Sequence, residues 1–212
     1  DLGTSFMLLI GGLAVVFAAG LPRRYVVASI LAGLSALPVL WSQLYAYQRA
    51  RILTFLNPDA DQLGAGYQIA QSKIALGSGG LFGKGFLMGS QSQLNYLPEK
   101  QTDFVFTMIG EEFGFIGNLG VLFTYFVILV SCLLIALRCR NRFGQLLCTG
   151  ISVMLFLYVF VNIGMVTGLL PVVGAPLPLI SYGGTAMLTV FIGLGLVVNV
   201  ALHQHLQDND LL

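Results

Sequence analysis

The sequence predicts an all-α, polytopic membrane protein, a single domain over residues 1–212, and three observations carry that reading. The 212 residues are 57% hydrophobic and only 9% charged, where a soluble domain carries about 25% charged residues. Apolar runs near the ~20 residues that a bilayer core demands recur about five times along the chain. The short connectors between them are basic on alternate turns, as the positive-inside rule requires of cytoplasmic loops.

The first apolar run covers residues 2–20 and ends at LPRR, with Arg23 and Arg24. The second, 25–44, carries Pro38, a helix-kinking residue. It approaches its end at Trp41, followed by Tyr45 and Tyr47, an interfacial aromatic belt. A large loop then fills residues 45–103. Residues 104–137 are apolar except for Glu111, Glu112 and Asn118. That run is longer than one span needs, so its first turns are expected at or above the membrane surface, or the helix is tilted. Arg138, Arg140 and Arg142 precede a fourth run at 146–169. The turn PVVGAPLPLISYGG leads into the fifth, 185–202, and a polar tail follows. Both basic connectors fall on one side of the membrane. By charge that side is cytoplasmic, so the large loop and the SYGG turn face outward.

Within the loop, residues 66–76 (GYQIAQSKIAL) have the spacing of a short amphipathic helix. Residues 78–85 are too glycine-rich for regular structure. The 97–99 step Leu-Pro-Glu is extended, because the residue before proline avoids the helical region. Thr102 or Asp103 suits the N-cap of the next helix.

A net charge of +1 gives no case for nucleic acid. Cys132, Cys139 and Cys148 form no CxxC pair, and His203 and His205 do not share a helix face, so neither set predicts a metal site or a disulfide framework. The chain begins at Asp1 without a charged leader and is expected to be part of a longer protein.

The run SGGLFGKG lacks the glycine and the Ser or Thr that a phosphate loop needs around its Gly-Lys pair, and no strand precedes it. A narrower reading keeps Lys84 and its neighbouring amides for the pyrophosphate of a lipid-linked substrate; the alternative is a solvated lysine on a loop. Asp103 is either an N-cap carboxylate or a general base whose pKa is raised at the mouth of an apolar helix. Glu111 and Glu112, adjacent carboxylates in an apolar run, are candidates for function or for pairing with loop cations. Asn162 suits a helix–helix hydrogen bond. Ser181, in the SYGG turn, borders either a cavity or a tight reversal.

Two runs carry a family resemblance: GAGYQIAQSKIALGSGGLFGKGFLMGSQSQLNYLPEKQTDFVFTMIGEEFG and FVNIGMVTGLLPVVGAPLPLISYGG. They resemble the SEDS family (shape, elongation, division and sporulation), and its elongation branch rather than its division branch. The resemblance runs across all 212 residues. It implies a ten-span fold of which this chain holds the last five, in a multi-pass protein of the bacterial cytoplasmic membrane with its active face outward. It further implies a peptidoglycan glycosyltransferase that polymerises lipid II during elongation and cell-shape maintenance, beside a class B penicillin-binding transpeptidase. By that resemblance the aspartate of TDF, Asp103, is the catalytic base. Lys73 and Lys84 would neutralise the departing pyrophosphate, and Glu99, Glu111, Glu112 and Ser181 would line the substrate site. No cofactor is assigned, and a role for a divalent cation stays open. Where relatives commonly have histidine before the TDF threonine, this chain has Gln101. Lipid II transport and a non-catalytic scaffold for the transpeptidase are the alternative functions.

Overall fold

A computed structural model describes residues 2–57, 64–93, 97, 99 and 101–209. All regular structure among them is helical: α1 (Leu2–Ala18), α2 (Arg23–Gln43), α3 (Ala46–Leu56), α4 (Ala65–Ser78), α5 (Ser90–Gln93), α6 (Val105–Arg138), α7 (Arg142–Val166) and α8 (Gly184–Asn209). The large loop is thus not bare connector, since α3, α4 and α5 lie within it. Pro98, part of the expected extended step, lies outside the described residues, as do Lys100 and the side chain of His205.

Among the described residues, α6, α7 and residues 184–204 of α8 are long and apolar enough to cross a membrane. α1 is apolar but shorter, and its 17 residues span about 26 Å at ~1.5 Å per residue, just under a bilayer core. α2 has 21 residues with Pro38 inside and turns Val27, Ile30, Leu31 and Leu34 outward. The fifth run continues beyond the expected 202, because the polar tail stays helical to Asn209.

The molecule is inside-out by the standards of a soluble protein. Large apolar side chains such as Phe115, Phe123, Phe126, Leu188 and Phe191 face outward, while Ser72, Thr107, Glu111, Ser152 and Asn162 are buried. Lipid supplies no hydrophobic drive between helices, so close packing and internal hydrogen bonds hold such a bundle. α7 sits centrally, against α1, α6 and α8, and α4 leans on α6. Small residues let the helices approach: Cys132, Ala136, Cys148 and Val197 form one core cluster at the basic end. Asn141 caps α7 by accepting from the Phe143 N–H at 3.0 Å. At the other end Leu97, Phe104, Phe106, Tyr125, Met165 and Leu177 make a second cluster.

α4 is drawn inward rather than lying on the surface alone. Ser72, fully buried, donates to the Val166 carbonyl at 2.7 Å and so accepts from the Thr107 hydroxyl, also at 2.7 Å. One hydroxyl pair thereby joins α4, α6 and α7. α6 is broken at Gly114 (φ 71, ψ −164), and the break sets the loop above it. The 79–85 strand of chain fills the gap in the helical ladder. Lys84 N–H donates to Glu111 O and Gly85 N–H to Glu112 O, both at 3.0 Å. In return Phe115 N–H donates to Gly80 O at 2.9 Å and Ile116 N–H to Leu81 O at 3.2 Å. A Cβ on Gly114 would stand 2.3 Å from the Gly83 nitrogen, so only glycine fits the contact.

Candidate active site at the head of the longest helix

Asp103 lies two residues before α6. The N-cap residue is Phe104, with no side-chain cap bond, so Asp103 and Thr102 are not caps. The Thr102 hydroxyl instead bonds back to Glu99, to its carbonyl and to its carboxylate at 2.8 Å. Glu99 holds a left-handed φ of 57°, which lets its carbonyl collect the N–H groups of Thr102, Asp103 and Phe104. That tight turn, rather than a capping side chain, starts the helix.

The carbonyls of this segment are fixed from the opposite side. Gln101 O accepts from the Tyr182 N–H at 2.9 Å, Thr102 O from the Ser181 hydroxyl, and Asp103 O from Asn162 Nδ2 at 2.9 Å. Asn162, wholly buried in α7, spends its other Nδ2 proton on Ala175 O at 2.7 Å. Ser181 Oγ also accepts the Leu177 N–H at 2.7 Å, and the Tyr125 hydroxyl donates to Pro178 O. The proline-rich turn 171–183 is therefore a rigid brace against residues 101–103, not a simple reversal.

The Asp103 side chain escapes this bonding. It is half-buried and borders Gly174, whose Cβ, if present, would lie 3.2 Å from Oδ2. Burial first, then the like charge of Glu99, hold its carboxyl above the usual carboxylate range. Beside it a cavity of about 350 Å³ is lined by Thr4, Tyr158, Gly174, Pro176, Ser181 and Thr185. A wider outer groove of about 740 Å³ runs past Gln101, Val105, Ser181 and Tyr182. Ser181 borders both spaces, although its own hydroxyl is used internally.

The other residues named from sequence fall in a second cluster. Glu111 has no solvent exposure. Its Oε1 takes the Lys84 ammonium at 2.7 Å, the Gln91 N–H at 3.0 Å and the Ser90 hydroxyl at 3.1 Å. Lys84 and the amides of residues 83–85 are thus engaged inside the chain rather than presented to a ligand. Glu112 contributes its carbonyl to the same clamp and is half-buried. Lys73 is exposed on α4, with its ammonium end against Gly168, just past the C-terminal end of α7. There the helix dipole favours a cation. Among the described residues no three His, Cys, Asp or Glu side chains converge to hold a metal.

A sequence profile of the FtsW, RodA and SpoVE family, described as "Cell cycle protein", matches residues 1–206. The chain belongs to this family. It is 48% identical over 205 residues to "Peptidoglycan glycosyltransferase MrdB" of Escherichia coli (strain K12), covering 96% of this chain and 55% of that protein. Among solved structures it resembles one described as "Structural coordination of polymerization and crosslinking by a peptidoglycan synthase complex", with TM-score 0.77 and 34% identity, over 96% of this chain and 56% of that one. It also resembles the crystal structure of Thermus thermophilus rod shape determining protein RodA, with TM-score 0.60 and 31% identity, over 96% of this chain and 50% of that one. The chain spans about half the length of the relatives it matches. Family and polytopic helical fold agree with the sequence reading.

The braces around Asp103 were the part that sequence reasoning missed. Asn162 had a signal, a lone amide in an apolar span, but the partners turned out to be backbone carbonyls rather than another helix's side chain.

Proposed function

We propose that this chain supplies the Asp103 surface of a peptidoglycan glycosyltransferase that polymerises lipid II at the outer face of the bacterial cytoplasmic membrane. The observation that carries the reading is the contrast at Asp103: a backbone fixed by three successive carbonyl bonds, and a carboxylate left without an ion pair among the described residues and held above its ordinary pKa. A general base needs that combination of fixed position and raised basicity.

In the reaction, the Asp103 carboxylate takes the proton of the acceptor sugar hydroxyl. The hydroxyl oxygen bonds to the donor's anomeric carbon as that carbon's bond to the pyrophosphate oxygen breaks, and polyprenyl pyrophosphate leaves. Lys84 is already neutralised by Glu111, so Lys73 is the better placed of the two lysines to meet the leaving group's charge. Glu99 borders the acceptor side and tunes Asp103, while Ser181 and Asn162 position it. Glu111 and Glu112 hold the loop rather than the substrate. A divalent cation, if the reaction uses one, would meet Asp103 and Glu99 as the two carboxylates of the mouth, and chelation by EDTA tests that role. The transpeptidase partner is proposed on the likeness to the synthase complex.

The test is lipid II polymerisation by full-length protein carrying Asp103→Asn. The expected result is a fall of about 10³-fold, within the usual range for a general base, with lipid II binding kept. Polymer made at the normal rate would remove Asp103 from the chemistry. Polymerisation lost together with binding would make Asp103 a substrate-binding residue rather than the base, and an intact rate in complex with the transpeptidase would favour a scaffold.

A further inference from the structure

The tip of the loop clamped over Gly114 is apolar and outward-facing. Phe82 is 80% exposed, Met88 70% and Phe86 68%, with Leu81 and Leu87 beside them. A flexible loop would fold such side chains away, but this one cannot. Four backbone bonds tie residues 80–85 to both sides of the α6 break. The one charge at the tip, Lys84, is neutralised by buried Glu111, and the Phe86 ring leans on Phe113 at 6.2 Å between centroids.

The depth of this tip follows from α6. Arg138, with Arg140 and Arg142, marks the basic membrane boundary. From Arg138 back to Gly114 the helix is about 36 Å long at ~1.5 Å per residue. A hydrocarbon core is about 30 Å thick, so its far boundary falls near Asn118, about one turn from the clamp. A tilt of about 20° brings the boundary nearer still to Gly114. On α6, Phe115, Ile116, Leu119, Leu122 and Phe123 are exposed, and the first two are joined to the base of the tip by backbone bonds to Gly80 and Leu81.

We propose that residues 81–88 form a fixed membrane-surface anchor, whose Leu, Phe and Met side chains enter the acyl–headgroup boundary of the leaflet opposite the Arg138–Arg142 turn. Aromatic and aliphatic residues at that depth are the composition of an interfacial binder. The lysine within such a patch costs little to place there because its charge is already paired. The anchor would fix the height of the loop, and with it α4, relative to the bilayer in which a lipid-linked substrate travels. It does not depend on the catalytic reading of Asp103.

A nitroxide label read by collision with oxygen and with a water-soluble nickel chelate tests it, on full-length protein in lipid nanodiscs with the native cysteines replaced. Labels are placed at Phe82→Cys and Met88→Cys, with Leu122→Cys as the lipid reference and Gln101→Cys as the aqueous one. Both tip labels are expected to show oxygen-to-nickel ratios several-fold above that of position 101. The expected depth is about 5–10 Å below the headgroup boundary. Ratios equal to that of position 101 overturn the proposal, because the tip then stands in water. Labels immobilised and shielded from both reagents also overturn it, because protein then covers the patch. Using two tip positions keeps the test decisive if one label disturbs the clamp.

Discussion

Asp103 and Glu111 are carboxylates eight positions apart at the same end of α6, and the chain treats them oppositely. Glu111 is sealed from solvent and surrounded by an ammonium, a hydroxyl and an amide. Asp103 is half-open, faces another acid, and has its backbone rather than its carboxylate hydrogen-bonded. A buried charge survives only when paired, so the first arrangement is what stability demands of a glutamate in an apolar helix. The second arrangement does nothing for stability and keeps a basic oxygen available. On the proposed function, the two clusters separate the role of holding the loop from the role of reacting.

The contrast can be broken first at the clamp. Gly114→Ala forces a Cβ into the Gly83 amide at a left-handed φ. About 3 kcal/mol or more of stability should be lost, combining backbone strain and clash. A thermal melt of the nanodisc-embedded protein reads this, and an unchanged melt would mean the clamp is not rigid.

Next in size is Lys84→Met, which leaves Glu111 buried without its cation. A loss of about 3 kcal/mol is expected, the lower end for a broken buried pair because Lys84 is partly exposed. Lys84→Met with Glu111→Gln should recover much of it. If the double variant is no better than the single, the ion pair is not the source.

Asn162→Leu removes both amide bonds to Asp103 O and Ala175 O while keeping the γ-branched shape. About 2 kcal/mol is expected from the stranded carbonyls. Polymerisation should fall through kcat more than through KM, since the base is displaced rather than the lipid released. A pure KM effect would make Asn162 a binding residue.

The smallest effect is a shift of the pH profile. As the proposed base, Asp103 would act only when ionised, so the rate is expected to rise with pH through its raised pKa. Glu99→Gln removes the like charge that helps to raise it. The acid limb should move to lower pH, with relative activity gained on the acid side. A shift to higher pH would show that Glu99 does not act on Asp103 through its charge.

Much of the scaffold was legible because the bilayer imposes it. The three longest helices, the over-long 104–137 run and the short helix near 66–76 all follow from apolar length and period. The break at Gly114 explains the excess length, and only the neighbouring loop reveals why a glycine must stand there. The site was legible as residue types and not as partnerships. Lys84 and Glu111 were both visible as ionisable groups near an apolar run, yet their pairing depends on a 27-residue separation closed by backbone bonds. Asp103 looked like a cap because caps and bases use the same side chain just before a helix. The distinction lies in the Glu99 turn, whose carbonyl gathers the N–H groups of residues 102–104 and places Phe104, not Asp103, at the N-cap.

The most direct test sets the two carboxylates side by side. Full-length protein with Asp103→Asn and with Glu111→Gln is compared for lipid II polymerisation per folded molecule and for melting temperature. Asp103→Asn is expected to melt normally and to lose about 10³-fold in rate. Glu111→Gln is expected to melt early while its folded fraction keeps a rate within about tenfold, since a positioning loss of about 1.4 kcal/mol is one decade. A normal rate from Asp103→Asn, or a folded Glu111→Gln as inactive as that variant is expected to be, would show that the two carboxylates do not divide these roles.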